Sequence, residues 1–177
     1  GVAHNVAVEP HLQPLTGEQF QLRSASTEDQ ARLDVVASGV WGGRFERTFI
    51  DVRVFNPYAS SNRTSSLSGC YRHHEQEKRR RYDRRVREVE RSTFLPFVLS
   101  STGGCGKGAA ALVSRIAHLQ SLRGREAYSV LIAHLRCRLS FALLRSSVMC
   151  LRGARRVWQP PMDGCASLAV VEARMSR

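Results

Sequence analysis

Thr48-Phe49-Ile50-Asp51-Val52-Arg53-Val54-Phe55 is a β-branched and aromatic run with one carboxylate and one guanidinium near its centre. That composition predicts a strand, expected over 45–55 because Asn56-Pro57 stops it. Alternation with a period of two places Phe49, Asp51, Arg53 and Phe55 on one face, and Ile50, Val52 and Val54 on the other. Upstream, Arg32-Leu33-Asp34-Val35-Val36-Ala37 repeats the theme, with a strand expected over 31–37 and a single carboxylate inside it. Ser38-Gly39-Val40-Trp41-Gly42-Gly43 between them is turn chemistry, so the two runs are expected to pair as an antiparallel hairpin.

A carboxylate among Val, Ile and Phe is costly to bury unless something positive neutralises it. Neighbouring strands can bring Asp34 and Asp51 together, and paired hard oxygen ligands are what a divalent ion handling phosphate requires. A turn cap or an Arg partner would explain a lone strand aspartate. The pair, with Arg53 alongside and a basic helix downstream, favours a metal site.

Phosphate chemistry also needs a cation near the developing charge, and two residues compete for that role. Arg53 shares a strand face with Asp51. Lys78 belongs to a helix expected over 70–91, where His74, Lys78, Tyr82 and Arg85 recur at spacings of three and four and form one stripe. If the role requires proton exchange, Lys78 suits it; if it is purely electrostatic, Arg53 suffices. The arginines Arg79, Arg80, Arg81 and Arg85 would grip a phosphate backbone together with His74.

The remaining chain completes an α/β pattern. Residues 1–30 are mixed, and Pro10 and Pro14 limit any early helix. Residues 58–70 have the composition of a surface loop. A strand is expected over 94–100, with Pro96 marking an edge or a bulge. Helices are expected over 109–122 and 128–152, their apolar residues (Leu112, Ile116, Leu119; Leu131, Leu135, Leu139, Leu143) forming core stripes. Arg136, Arg138, Arg145 and Arg152 fall outside those stripes. The order predicts a small mixed β-sheet flanked by helices, with a C-terminal helical pair. One domain is expected over 1–156, with its core at about 28–104 and an irregular tail at 157–177.

The net charge of +12 points to a polyanionic partner, and the basic residues are almost all arginine, Lys78 and Lys107 excepted. Codon bias explains part of the arginine excess but not the sign of the charge. The five cysteines include no C-x-x-C pair, which argues against a structural zinc site, and their odd count and wide spacing argue against a secreted disulfide framework. For Cys105 and Cys137, buried packing is the expected role. No apolar run approaches a membrane span, and an intracellular, nuclear setting is expected. A chain opening on Gly1 suggests a piece of a longer polypeptide.

Two further motifs carry less. Ser101-Thr102-Gly103-Gly104-Cys105-Gly106-Lys107-Gly108 sits between a strand and a helix, but a Walker A motif needs Gly where Ser101 stands and Ser or Thr where Gly108 stands. A structural turn is expected there. His73 and His74 could line a phosphate channel, although adjacent residues on a helix are expected to face different ways.

Arg32-Leu33-Asp34, Phe49-Ile50-Asp51-Val52-Arg53 and the Glu77-Lys78-Arg79-Arg80-Arg81-Tyr82 helix together resemble the restriction-enzyme-like endonuclease domain at the C-terminus of some retrotransposon proteins, a branch of the PD-(D/E)xK nucleases. Val98-Leu99-Ser100-Ser101-Thr102-Gly103-Gly104 extends the likeness, which covers about residues 28–104. The resemblance implies a restriction-endonuclease-like core, Asp34 and Asp51 as ligands of Mg²⁺ or Mn²⁺, Lys78 as the class's lysine relocated to the helix, and Tyr82 one turn on. It also implies a reverse transcriptase upstream in the same polypeptide. Leu33 stands where the class has proline, and Arg53 where it has lysine. The helix acid that supplies a further ligand has three candidates, Glu9, Glu18 and Glu28.

The expected function is therefore a metal-dependent endonuclease domain that nicks target DNA for a mobile element. The alternatives are a non-catalytic nucleic-acid-binding module, including a decayed nuclease remnant, and a module that contacts the element's RNA.

Overall fold

The computed structural model describes residues 2–15, 26, 28, 30–124 and 126–153. The chain forms two compact units, Gly1–Arg145 and Ser146–Arg177, and the sheet and the candidate site lie in the first. Of the second, residues 146–153 are helical and described, so the expected tail at 157–177 lies outside the described residues.

Four strands make one mixed sheet: β1 (His4–Val8), β2 (Val35–Ser38), β3 (Arg47–Phe55) and β4 (Thr93–Ser100), in that spatial order. Three helices accompany it: α1 (Leu67–Glu88), α2 (Lys107–Arg123) and α3 (Tyr128–Gly153). The β1–β2 and β2–β3 pairs are antiparallel, and β3–β4 is parallel. A parallel pair needs a crossover connection, and α1 supplies it. The fold is thus an α/β sandwich with a small mixed sheet.

The hairpin forms as its sequence predicts, with Val35 opposite Ile50 and Val36 opposite Phe49. Only Val35–Ser38 of the expected 31–37 strand is regular. The preceding residues pair irregularly with 9–12, through Leu12 N–H to Ala31 O, Leu33 N–H to Pro10 O and Glu9 N–H to Asp34 O. Glu9 has a positive φ of 50° and Pro10 has no N–H to give, so a ladder cannot run through them.

β1 was not expected. It is an irregular edge strand with a bulge between His4 and Ala7, and Val6 and Val8 face solvent, so it lacks the alternation that announces a strand. The opposite edge is β4. Its Pro96 pairs with Asp51 of β3, and edge placement removes any need for a second row of ladder donors.

The two faces of the sheet carry separate apolar clusters. Ala37, Ile50, Leu95, Phe97 and Leu99 pack with Ala109, Leu112 and Val113 of α2 and Leu143 of α3. Val36, Phe49 and Phe94 pack with Tyr82 and Val86 of α1 on the other side, joined by Leu12, Ala31 and Leu33. On α3, Leu135, Leu139 and Leu143 meet the core as their stripe predicts, whereas Phe141 and Leu144 are exposed.

The Gly-rich segment is a turn that lets α2 start close against α1. Glu75 Oε1 accepts from Gly108 N–H at 2.9 Å and so caps the amino end of α2 from a neighbouring helix. A Cβ on Gly108 would stand 2.5 Å from Pro96 O, and one on Gly104 would stand 2.1 Å from Tyr71 Oη. Close approach explains these glycines, and a carboxylate already occupies the helix end where a phosphate would dock.

Candidate metal and phosphate site

Asp34 ends the irregular segment immediately before β2. Continuing the Val35–Ile50 register by one step sets it opposite Asp51. Its Oδ2 accepts from Val52 N–H at 2.5 Å, taking a ladder bond that backbone would otherwise take. Asp34 is half-buried. Asp51, in the middle of β3, is 6% exposed and lies on the α1 side of the sheet with Phe49. The sheet therefore does bring the two carboxylates together.

Lys78 reaches Asp51 from α1, its Nζ 2.7 Å from Oδ2. Three influences act on the Asp51 carboxyl. Burial pushes its pKa above the usual 3.8, Lys78 pulls it back, and the neighbouring Asp34 raises it again through like charge and a shared hydrogen bond. The balance is upward, chiefly because burial strips water from the carboxylate. Tyr82, one turn beyond Lys78, lies under it with Nζ 5.8 Å from the ring centroid. Burial first, then the nearby Asp51 and other carboxylates, raise the Tyr82 hydroxyl above its ordinary 10.0, which keeps it a neutral donor.

Arg53 does not join this group by an ion pair. It meets Glu77 at 3.2 Å, so the two competing cations are divided: Lys78 on Asp51, Arg53 on Glu77. Glu77 also approaches His74 Nδ1 at 3.7 Å. His74 packs its ring 4.7 Å from Phe55, and His73 stands 5.5 Å from it, edge-on. The expectation that His73 and His74 point apart is corrected here, since their rings converge over Glu77. Among the described residues, His73, His74 and Glu77 form a three-donor group with all ligating atoms within 4.8 Å of one another. The signal in the sequence was the pair of histidines three and four residues before an acid, which places all three over one turn.

The nucleic-acid contacts expected on α1 divide in the same way. Arg79, Arg80 and Arg81 are exposed. His74 and Arg85 are not available to a backbone phosphate. His74 is 7% exposed, and Arg85 is 0% exposed. Arg85 donates through Nη1 to Ser26 O and Glu28 O at 2.8 Å and through Nη2 to Gln13 O at 2.9 Å. It ties Gln13, Ser26 and Glu28 to the helix.

The candidate helix acids also have other partners. Glu9 pairs with Arg32 at 3.7 Å and Glu28 with Arg81 at 3.6 Å, while Glu18 lies outside the described residues. Arg136, Arg138, Arg145 and Arg152 are exposed. Cys105 and Cys137 are exposed rather than packed, and Cys70 is the buried cysteine among the described residues. No described helix is long and apolar enough to cross a membrane.

No family model, curated protein or solved structure matches this chain. Its function has to be argued from the site itself.

Proposed function

We propose that this chain is a metal-dependent DNA endonuclease domain of the restriction-enzyme-like class, working within a mobile-element protein that carries a reverse transcriptase upstream. The observation that carries the reading is Asp51, buried in mid-strand with its pKa raised, facing Asp34 on one side and Lys78 on the other. A buried carboxylate held this way is disfavoured by its surroundings and needs further positive charge. The donor set fits Mg²⁺ or Mn²⁺, which take hard oxygen ligands. Bound between Asp34 and Asp51, such an ion supplies Lewis-acid polarisation of the phosphoryl oxygen and lowers the pKa of water.

The chain's own residues do the rest. Asp34 is fixed by its bond from Val52 N–H, so it offers an oriented carboxylate rather than a mobile one. Lys78 stands where it can turn from Asp51 toward a phosphate oxygen and stabilise charge as it develops there. Tyr82 supports Lys78 from below and remains protonated. Arg79, Arg80 and Arg81, exposed along the same helix, would hold the backbone beside the cut without reading its sequence.

A second reading has its own observation. Lys78 already stands 2.7 Å from Asp51 as an internal counter-charge, as a non-catalytic nucleic-acid-binding module would allow. Supercoiled-plasmid nicking by the purified chain with Mg²⁺ or Mn²⁺, repeated with Asp51→Ala, separates the two. Metal-dependent nicking lost in the variant, with DNA affinity kept, supports the nuclease. Tight binding without cutting by the native chain supports the module.

A further inference from the structure

We propose that His73, His74 and Glu77 form a second metal site, specific for a late first-row divalent ion of the zinc type and chemically distinct from the aspartate pair. This inference does not depend on the nuclease reading.

Two independent observations carry it. First, the three donor atoms lie within 4.8 Å of one another on a single turn of α1. A tetrahedral ion with bonds of about 2.0–2.1 Å to imidazole nitrogen keeps its ligands about 3.3 Å apart. The observed spread exceeds that by at most about 1.5 Å, a distance within the reach of side-chain rotation. Second, His74 is 7% exposed, its Nε2 has no hydrogen-bond partner within the chain, and its Nδ1 faces only the Glu77 carboxylate, 3.7 Å away. Leaving a buried polar group unsatisfied costs about 1–3 kcal/mol, so a native protein seldom does so without a ligand for it. An ion shared by His74 and Glu77 would bind one of the two imidazole nitrogens.

The surroundings suit a held rather than a passing ion. The Phe55 ring, 4.7 Å from His74, walls the imidazole on its inner side, while His73 is exposed and gives an entry path. Two imidazoles and one carboxylate suit zinc, cobalt(II) or nickel(II), whereas magnesium prefers an all-oxygen shell. Three protein ligands leave a further position for water, as in open zinc sites. Arg53 shares Glu77 at 3.2 Å and competes with the ion for that carboxylate.

The test uses the whole chain, free of any histidine tag and stripped with chelator, carrying Asp34→Asn and Asp51→Asn to remove the aspartate pair. Cobalt(II) is titrated by visible absorption and zinc by calorimetry. The expected result is saturable binding of about one equivalent, weakened about tenfold or more by His73→Ala and by Glu77→Gln. Both altered residues are partly or fully exposed, so loss of folding is not at issue, and circular dichroism confirms it. His74→Gln, which keeps a polar group in the buried position, should also weaken binding. No saturable uptake of either ion, or an affinity left unchanged by His73→Ala and by Glu77→Gln, would overturn the proposal.

Discussion

Lys78 Nζ lies 2.7 Å from Asp51 Oδ2, so a helix cation and a strand carboxylate form a single largely enclosed unit across two elements. In the proposed mechanism Lys78 also carries the transition-state charge. Lys78→Ala should lower single-turnover nicking by about 10²–10³-fold, the usual cost of removing one such charge partner. Arg53→Ala should cost less, because Arg53 pairs with Glu77 rather than with the carboxylate pair. A larger loss from Arg53→Ala would reverse the assignment of the two cations.

Asp51 links function to stability through its raised pKa. Because its folded value lies above 3.8, its favourable contribution to folding is present below that pH and is lost as pH rises through the folded value. At neutral pH the ionised group is therefore a liability to the metal-free fold. Asp51→Asn should melt no lower than the native chain at pH 7, with any advantage fading toward about pH 3. Thermal denaturation across that range checks it, and a markedly lower Tm of the variant at pH 7 would contradict the assigned balance of forces.

Arg85 tests the structural part of the account. Its guanidinium satisfies the carbonyls of Gln13, Ser26 and Glu28. Arg85→Ala strands them and should destabilise the chain by about 3 kcal/mol. That corresponds to roughly 6–12 °C in Tm for a domain of this size. DNA affinity, measured well below the transition, should stay unchanged, whereas a large affinity loss without destabilisation would return Arg85 to the binding surface.

Gly108 tests the α1–α2 junction. A methyl group there meets backbone, Pro96 O, at 2.5 Å, and would push α2 away from the cap that Glu75 provides. Gly108→Ala should cost about 1–3 kcal/mol, read from urea denaturation. A neutral result would show that α2 can start further from β4.

The sheet, its hairpin and the three helices were legible because their signals are local. Alternation in 48–55, a β-branched run at 35–37 and stripes of three and four along 109–152 each need only a few neighbouring residues. The meeting of Asp34 with Asp51 was legible for the same reason, since a hairpin fixes its own register. Three features were not. β1 hides because its valines face water. Arg85 looks like a surface charge on a basic helix, and its burial depends on acceptors 57–72 positions away. His73 and His74 stand one helical turn before Glu77 in the sequence, but that spacing does not show which way their rings turn, and only the side chains reveal the three donors meeting.

The most direct measurement is metal-dependent nicking of supercoiled DNA by the native chain and by Asp51→Ala, with DNA affinity recorded in parallel. The account predicts cutting with Mg²⁺ or Mn²⁺ that chelator stops, at least about a hundredfold loss in the variant, and affinity within about threefold of native. A native chain that binds DNA but leaves it uncut with either ion, or an Asp51→Ala chain that cuts as well as native, would contradict it.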